Sequence, residues 1–122
     1  MNTNPVALRP AATILMLREG TAGMEVFMVV RHQQIDFASG ALVFPGGRLA
    51  SGDSDPGVRE RCTGVNRLST DEIAMRVGAI REAFEECGLL LAHSRASSHS
   101  LPAAQVTALG ERYRMRLERG EI

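Results

Sequence analysis

The stretch REAFEECG, Arg81–Gly88, places Glu82, Glu85 and Glu86 within five residues of one another in a chain whose formal net charge is zero. Like charges three or four positions apart on a helix repel each other and cost about 0.2–0.5 kcal/mol per pair. Two hypotheses account for such a cluster. It is either a solvated helix face, or a site at which another group offsets the repulsion.

The cluster occupies the last turns of a predicted helix. Ser69 and Glu72 have the spacing of a capping box, and Gly88 stands where a helix-ending glycine belongs. Steps of three and four residues predict one apolar stripe, formed by Ile73, Val77, Ile80, Phe84 and Cys87. The three glutamates fall on the opposite side of the helical wheel. We therefore predict that the stripe packs into a core while the carboxylates share an exposed polar face.

Strands are predicted upstream of this helix. AATILMLRE (11–19) and MEVFMVVRH (24–32) are rich in aliphatic residues, and the glycine-containing gap between them predicts a hairpin. ALVF (41–44) predicts a third strand. The following PGGRLASGDSDPG (45–57) is predicted to be an irregular loop, because glycine, proline, serine and aspartate dominate it.

After the predicted helix, LLLA (89–92) is expected to form a short buried strand. HSRASSHS (93–100) predicts a polar linker, and the residues from 101 to 122 predict a second helix. Its narrow apolar stripe consists of Val106, Leu109, Tyr113 and Leu117.

Composition restricts the class of protein. A chain of 122 residues with 44% hydrophobic residues forms one globular domain at most, and zero net charge argues against a nucleic-acid or membrane-surface binder. Its N-terminus lacks a signal-peptide pattern, and no apolar run approaches the length of a membrane span. Cys62 and Cys87 lack metal-site spacing, and Cys87 is expected to act as a small buried hydrophobe. We therefore expect a cytoplasmic protein.

A glycine-rich loop lies upstream of the acidic helix. Pro45, Gly46 and Gly47 form a segment whose backbone can approach other groups closely. Carboxylate oxygens are the ligands that Mg²⁺ takes in proteins, together with water and substrate phosphates. A divalent cation between the loop and the helix would offset the carboxylate repulsion.

Residues 81–89 resemble the signature of the Nudix hydrolase family, R-E-U-x-E-E-x-G-U, at every fixed position. Gly47 resembles the glycine that opens the Nudix box, and Asp53 stands six residues later, where the family has glutamate. Between Asp53 and Arg81 lie 27 residues, 54–80, and this segment contains an insertion relative to the shorter spacing of the family. GALVFPGG (40–47) further resembles coenzyme A diphosphatases of the Nudix motif 19 type.

This resemblance implies an α/β fold, namely a Nudix α/β/α sandwich with a mixed sheet. It also implies hydrolysis of the diphosphate bond in a nucleoside-diphosphate-linked small molecule, dependent on Mg²⁺ or Mn²⁺. Coenzyme A or acyl-CoA is the expected substrate. ADP-ribose, NADH or another nucleotide conjugate is the alternative substrate, and a non-catalytic Nudix-like binding or regulatory module is the alternative function.

The resemblance also implies residue roles. Glu85 and Glu86 match metal ligands, and Glu82 matches either another ligand or the base that deprotonates water. Arg81 matches the arginine that fixes a box glutamate, although an exposed pair with Glu85 suits its spacing equally. Gly47 matches a residue whose carbonyl completes the metal shell.

Other polar residues are given structural roles. Asp53 matches a family position that is chiefly structural, and its short side chain also suits a turn. His32, His93 and His99 have no partner at ligand spacing, so we predict that all three lie on the surface.

Relatives of this type continue beyond the box helix. We interpret residues 1–92 as the N-terminal part of a Nudix domain, and 93–122 as a linker and helix that continue it in longer relatives. Few strands are predicted, so the sheet is expected to be incomplete at its C-terminal end or to be completed by a second copy in a homodimer. Strands that contact substrate in relatives are absent, so the chain alone is expected to hydrolyse its substrate poorly.

Overall fold

Residues 7–30 and 40–122 are described by a computed structural model. They form short strands followed by helices, an α/β arrangement in which the strands precede the long helices. In chain order the elements are β1 (Ala11–Thr13), β2 (Leu17–Gly20), β3 (Gly23–Val26), β4 (Val29–Val30), β5 (Leu42–Val43), β6 (Gly46–Arg48), a 3-10 helix (Ser51–Ser54), α1 (Pro56–Arg59), α2 (Thr70–Cys87) and α3 (Ala103–Glu118).

The strands of the described residues form three antiparallel pairs, β1 with β6, β2 with β3, and β4 with β5. The predicted hairpin is found in β2 and β3, where Gly20 lies opposite Gly23 across a two-residue turn. Gly23 has a φ of 126°, which favours glycine. The predicted first strand is broken, however, because its beginning, β1, leaves the hairpin and pairs with β6. The mixed sheet and the sandwich stay predictions.

The segment 45–57 is not irregular, so the prediction of a loop there was wrong. Gly46–Arg48 forms β6, with Gly47 opposite Ala12 in the register with β1. The pairing is extended by the N–H of Ile14, which donates to the carbonyl of Pro45 at 2.9 Å. A Cβ atom at Gly46 would collide with the carbonyl oxygen of Ala12. The glycine composition that suggested a loop is thus what lets the two backbones approach.

Helix α2 begins and ends where the sequence predicts. Ser69 Oγ accepts from the N–H of Glu72 at 3.2 Å, and the Glu72 carboxylate accepts from the N–H of Ser69 at 2.7 Å. Gly88 follows the helix with a φ of 70°, and its N–H donates to the carbonyl of Phe84 at 2.9 Å. Both termini are therefore determined by local side chains.

The buried face of α2 differs from the predicted stripe. Ile73 and Phe84 are buried as expected, but Val77, Ile80 and Cys87 are only half-buried. The other buried positions are small residues, Ala74, Gly78, Ala79 and Ala83. These residues let β1, β6 and the 3-10 helix pack closely against α2. An apolar periodicity that gives weight to large side chains does not detect such a face.

The C-terminal segment follows the prediction only in part. Residues 89–92 form no strand in the described structure, so that prediction was wrong, and an isolated bridge pairs His93 with Ser100. Helix α3 is present and packs against α2. Its predicted stripe is half-buried, at Val106, Leu109, Tyr113 and Leu117. None of the helices in residues 7–30 and 40–122 is both long and apolar enough to cross a membrane.

Candidate functional site

The predicted site lies where β6 contacts α2. Gly47 faces Glu82 so closely that a Cβ atom at Gly47 would lie 2.5 Å from the nearer oxygen of that carboxylate. The N–H of Gly46 donates to Oε2 of Glu86 at 3.4 Å. The structure therefore brings the glycine strand and two of the three predicted carboxylates together, and a side chain at position 47 would displace the carboxylate of Glu82.

The three glutamates differ in burial. The side chains of Glu82 and Glu85 are 14% and 9% exposed, whereas Glu86 is exposed. The prediction that all three share an exposed polar face was therefore wrong for Glu82 and Glu85. Strands β1 and β6 and the 3-10 helix cover α2 on a side that the sequence pattern marks as polar.

Arg81 is the centre of this cluster. Its Nε and Nη2 donate to the two oxygens of Asp53 at 2.8 and 3.0 Å, and Nη2 also donates to the carbonyl of Arg48 at 3.0 Å. Nη1 donates to Oε1 of Glu82 at 3.1 Å and to Oε2 of Glu85 at 3.0 Å. All five N–H donors of the guanidinium are thus used. Arg81 is 16% exposed, so it is not a solvated helix-surface pair.

Asp53 has the structural and turn-forming roles that the sequence interpretation gave it, and the structure adds a contact with Arg81. Its side chain is 2% exposed and holds Arg81 in a two-bond ion pair. Oδ2 also accepts from the N–H of Ala50 at 2.8 Å, which closes the local turn. The signal that could have identified this partner is its spacing of six residues from Gly47.

The electrostatics of the cluster favour an added positive charge. Burial raises the pKa of Glu85 and that of Glu86 above the ordinary value for glutamate. Hydrogen bonds with Asp53 raise the pKa of Arg81 further above its usual range, so the guanidinium stays charged. Oε1 of Glu85 is buried and has no hydrogen-bond partner among residues 7–30 and 40–122. A bound cation would stabilise the ionised carboxylates and satisfy this atom.

The donor set fits a hard divalent cation in its chemistry. Glu82, Glu85 and Glu86 supply carboxylate oxygens beside the backbone of Gly47, which are ligands of the kind that Mg²⁺ and Mn²⁺ accept. Within residues 7–30 and 40–122, no group of three or more His, Cys, Asp or Glu side chains is arranged to hold a metal ion. In this arrangement Arg81, rather than a cation, holds Glu82 and Glu85.

The remaining candidate groups lie outside the cluster. His93 and His99 are exposed, which confirms their predicted surface position, and His32 lies outside the described residues. Cys87 is half-buried rather than fully buried, and burial raises the pKa of its thiol. It therefore stays protonated at neutral pH and is not an activated nucleophile.

Comparison with known proteins supports one family. No family model matches the chain. The crystal structure of a NUDIX hydrolase from Alicyclobacillus acidocaldarius is similar to it, with a TM-score of 0.63 and 29% sequence identity. The similarity covers 86% of this chain and 50% of that enzyme, so the chain spans about half of the enzyme's length. The likeness supports the Nudix hydrolase family and its fold for this chain.

Proposed function

We propose that this chain is the metal-binding part of a Nudix hydrolase, which cleaves a diphosphate bond in a nucleoside-diphosphate-linked small molecule. The observation that carries the proposal is the carboxylate of Glu85. It is buried beside Glu82, one of its oxygens has no partner, and burial disfavours its charge. A further positive group bound there would favour the ionised carboxylate and supply a partner for that oxygen.

Glu85, Glu86 and Glu82, with the carbonyl of Gly47, would hold Mg²⁺ or Mn²⁺. The metal would supply an activated water and would neutralise charge on the diphosphate. Arg81 orients two of these carboxylates through its Nη1 group. Asp53 and the carbonyl of Arg48 accept hydrogen bonds from Nε and Nη2 of Arg81, and these bonds fix the guanidinium.

Two roles stay open for Glu82, that of metal ligand and that of general base. Its Oε1 accepts from Arg81, which leaves Oε2 for an ion or for the proton of a water molecule. Both oxygens lie close to Gly47, since a Cβ atom there would be 2.5 Å from Oε1 and 2.8 Å from Oε2. Either role thus acts at the surface between β6 and α2.

The metal part of the proposal is tested by thermal unfolding in the presence of Mg²⁺ or Mn²⁺. A ligand that binds only the folded state stabilises it by about 2.7 kcal/mol at 100 times its Kd. We expect the Tm to rise with metal concentration, and the double variant Glu85→Gln/Glu86→Gln to lose the rise. Calorimetry or circular dichroism measures the Tm. A matched double variant of exposed glutamates, Glu60→Gln/Glu111→Gln, should keep it. An unchanged Tm of the unaltered chain at millimolar metal would favour the solvated-face hypothesis.

For the substrate we propose coenzyme A or acyl-CoA. The support is the stretch GALVFPGG (40–47), which resembles coenzyme A diphosphatases and contributes β5 and the start of β6 beside the carboxylates. Incubation of a full-length hydrolase that contains this chain with coenzyme A is expected to release 3′,5′-ADP and phosphopantetheine, separable by chromatography, whereas the 122-residue chain alone should do so poorly. ADP-ribose and NADH serve as competing substrates in the same assay. A preference for either of them would contradict the coenzyme A assignment and leave diphosphate hydrolysis standing.

A Nudix-like binding module is the second candidate. The observation in its favour is that Arg81 occupies Oε2 of Glu85 and Oε1 of Glu82, and that the described side chains form no ready metal cluster. Such a module would bind a nucleotide diphosphate without turnover. Binding of coenzyme A, ADP-ribose or NADH by a full-length protein that hydrolyses none of the three would favour this module over the enzyme.

A further inference from the structure

Helix α3 packs against α2, and one of its arginines reaches the acidic end of α2. Arg114 donates from Nε and Nη2 to the backbone carbonyl of Glu85, at 3.2 and 2.8 Å. Its Nη1 lies against Gly88, where an added Cβ atom would be 3.2 Å away. Gly110, one turn earlier on α3, leaves room for the arginine stem, since a Cβ atom there would lie 3.2 Å from Cδ. The guanidinium is thus fitted between the two helices.

The end of α2 needs such a donor. The last four carbonyl groups of an α-helix have no partner within the helix, and a positive charge near them is favourable. The chain leaves the helical conformation at Gly88, so the carbonyl of Glu85 has no continuing helical turn to supply its N–H. Arg114 supplies both the hydrogen bonds and the charge from a different helix.

Glu85 is consequently held at two points by two arginines. Its backbone carbonyl accepts from Arg114, and its carboxylate Oε2 accepts from Arg81 at 3.0 Å. Oε1 remains without a partner between these restraints. Ligand groups have to be fixed to within about 0.5 Å for a site to function, and groups behind the ligands set that precision.

We propose that Arg114 is a positioning residue of the metal site. It fixes the last turn of α2, and with it the carboxylates of Glu85 and Glu86, in the orientation that a divalent cation requires. The inference rests on the proposed function and deepens it, because it makes α3 part of the site although α3 contributes no ligand.

Arg114→Met tests the inference, since methionine keeps an apolar stem but cannot donate. Mn²⁺ alone is titrated into the protein and free Mn²⁺ is followed by electron paramagnetic resonance. We expect binding to weaken about tenfold, as is typical for the loss of a group that orients a ligand. Arg114→Lys keeps one charged donor and is expected to restore part of the affinity. Arg116→Met removes an exposed arginine from the same helix and should bind as the unaltered protein does.

A second measurement separates positioning from general stability. Hydrogen exchange of the backbone amides at 84–89 is expected to accelerate in Arg114→Met, while circular dichroism shows that both helices are retained. Equal Mn²⁺ affinity in the Arg114→Met and Arg116→Met variants would overturn the inference. So would weaker binding with unchanged exchange at 84–89, because Arg114 would then not act through this turn. If the folded, unaltered protein binds no Mn²⁺, the metal proposal fails as well. Tight binding that survives the loss of Arg114 refutes this inference alone.

Discussion

Replacing Arg81 with methionine is expected to lower the free energy of unfolding by about 3–5 kcal/mol, the range found when one partner of a buried ion pair is removed. The reason is Asp53, whose side chain is 2% exposed and would keep a charge without its partner. Glu82 and the carbonyl of Arg48 would also lose donors. Denaturant-induced unfolding followed by circular dichroism measures the change.

The chain offers a matched control in Arg18, which pairs with Glu25 at 2.7 Å on the surface. Exposed pairs contribute about 0–1 kcal/mol, so Arg18→Met is expected to have a small effect. Adding Asp53→Asn to Arg81→Met should restore part of the lost stability, because the most deeply buried carboxylate that lost its partner is then removed. If Arg81→Met and Arg18→Met lower the free energy of unfolding by equally small amounts, the ion pair between Arg81 and Asp53 does not stabilise the fold.

The elements that the sequence predicted well are those with local causes. Helix α2 has its capping box at Ser69 and its terminating Gly88 encoded within a few residues of each end. Strand β6 has no such signal. Its glycines have low strand propensity, and it forms because β1, more than thirty residues earlier, supplies the hydrogen bonds. A strand that depends on a distant partner is not visible in its own sequence.

The same distinction applies to the site. The acidic cluster on α2 and the glycine segment could be found from residue types and spacing. The burial of Glu82 and Glu85 could not, because it depends on small residues that let β6 approach α2. Asp53 and Arg114 act across 28 and 29 residues of sequence, and Arg114 has no local pattern that reveals its contact. The supporting groups of the site are thus products of tertiary packing.

Replacing Glu86 with glutamine is expected to lower kcat about a thousandfold, equivalent to about 4 kcal/mol of transition-state stabilisation. Glutamine retains an acceptor oxygen for the N–H of Gly46 but loses the negative charge that a metal ligand needs. Glu86 is the exposed member of the cluster, so the fold should change in stability by no more than about 0.5 kcal/mol. Steady-state hydrolysis of coenzyme A, or of whichever diphosphate it prefers, by a full-length hydrolase that contains this chain measures kcat.

The kcat of the Glu86→Gln variant is a more direct test of catalysis than any Arg81 variant, because the two residues differ in their contacts. Arg81 joins buried groups, so its loss would lower activity through folding as well as through orientation of the carboxylates. Within the described part of the chain, the hydrogen bond of Glu86 is the one from the backbone of Gly46 at 3.4 Å, and its loss should affect catalysis while leaving the Tm nearly unchanged. Glu111→Gln, a charge-matched change on an exposed turn of α3, should retain normal kcat. Normal turnover by a folded Glu86→Gln variant would mean that the metal and its water are held without this carboxylate. Glu82 and Glu85 would then have to be the carboxylate ligands of the metal.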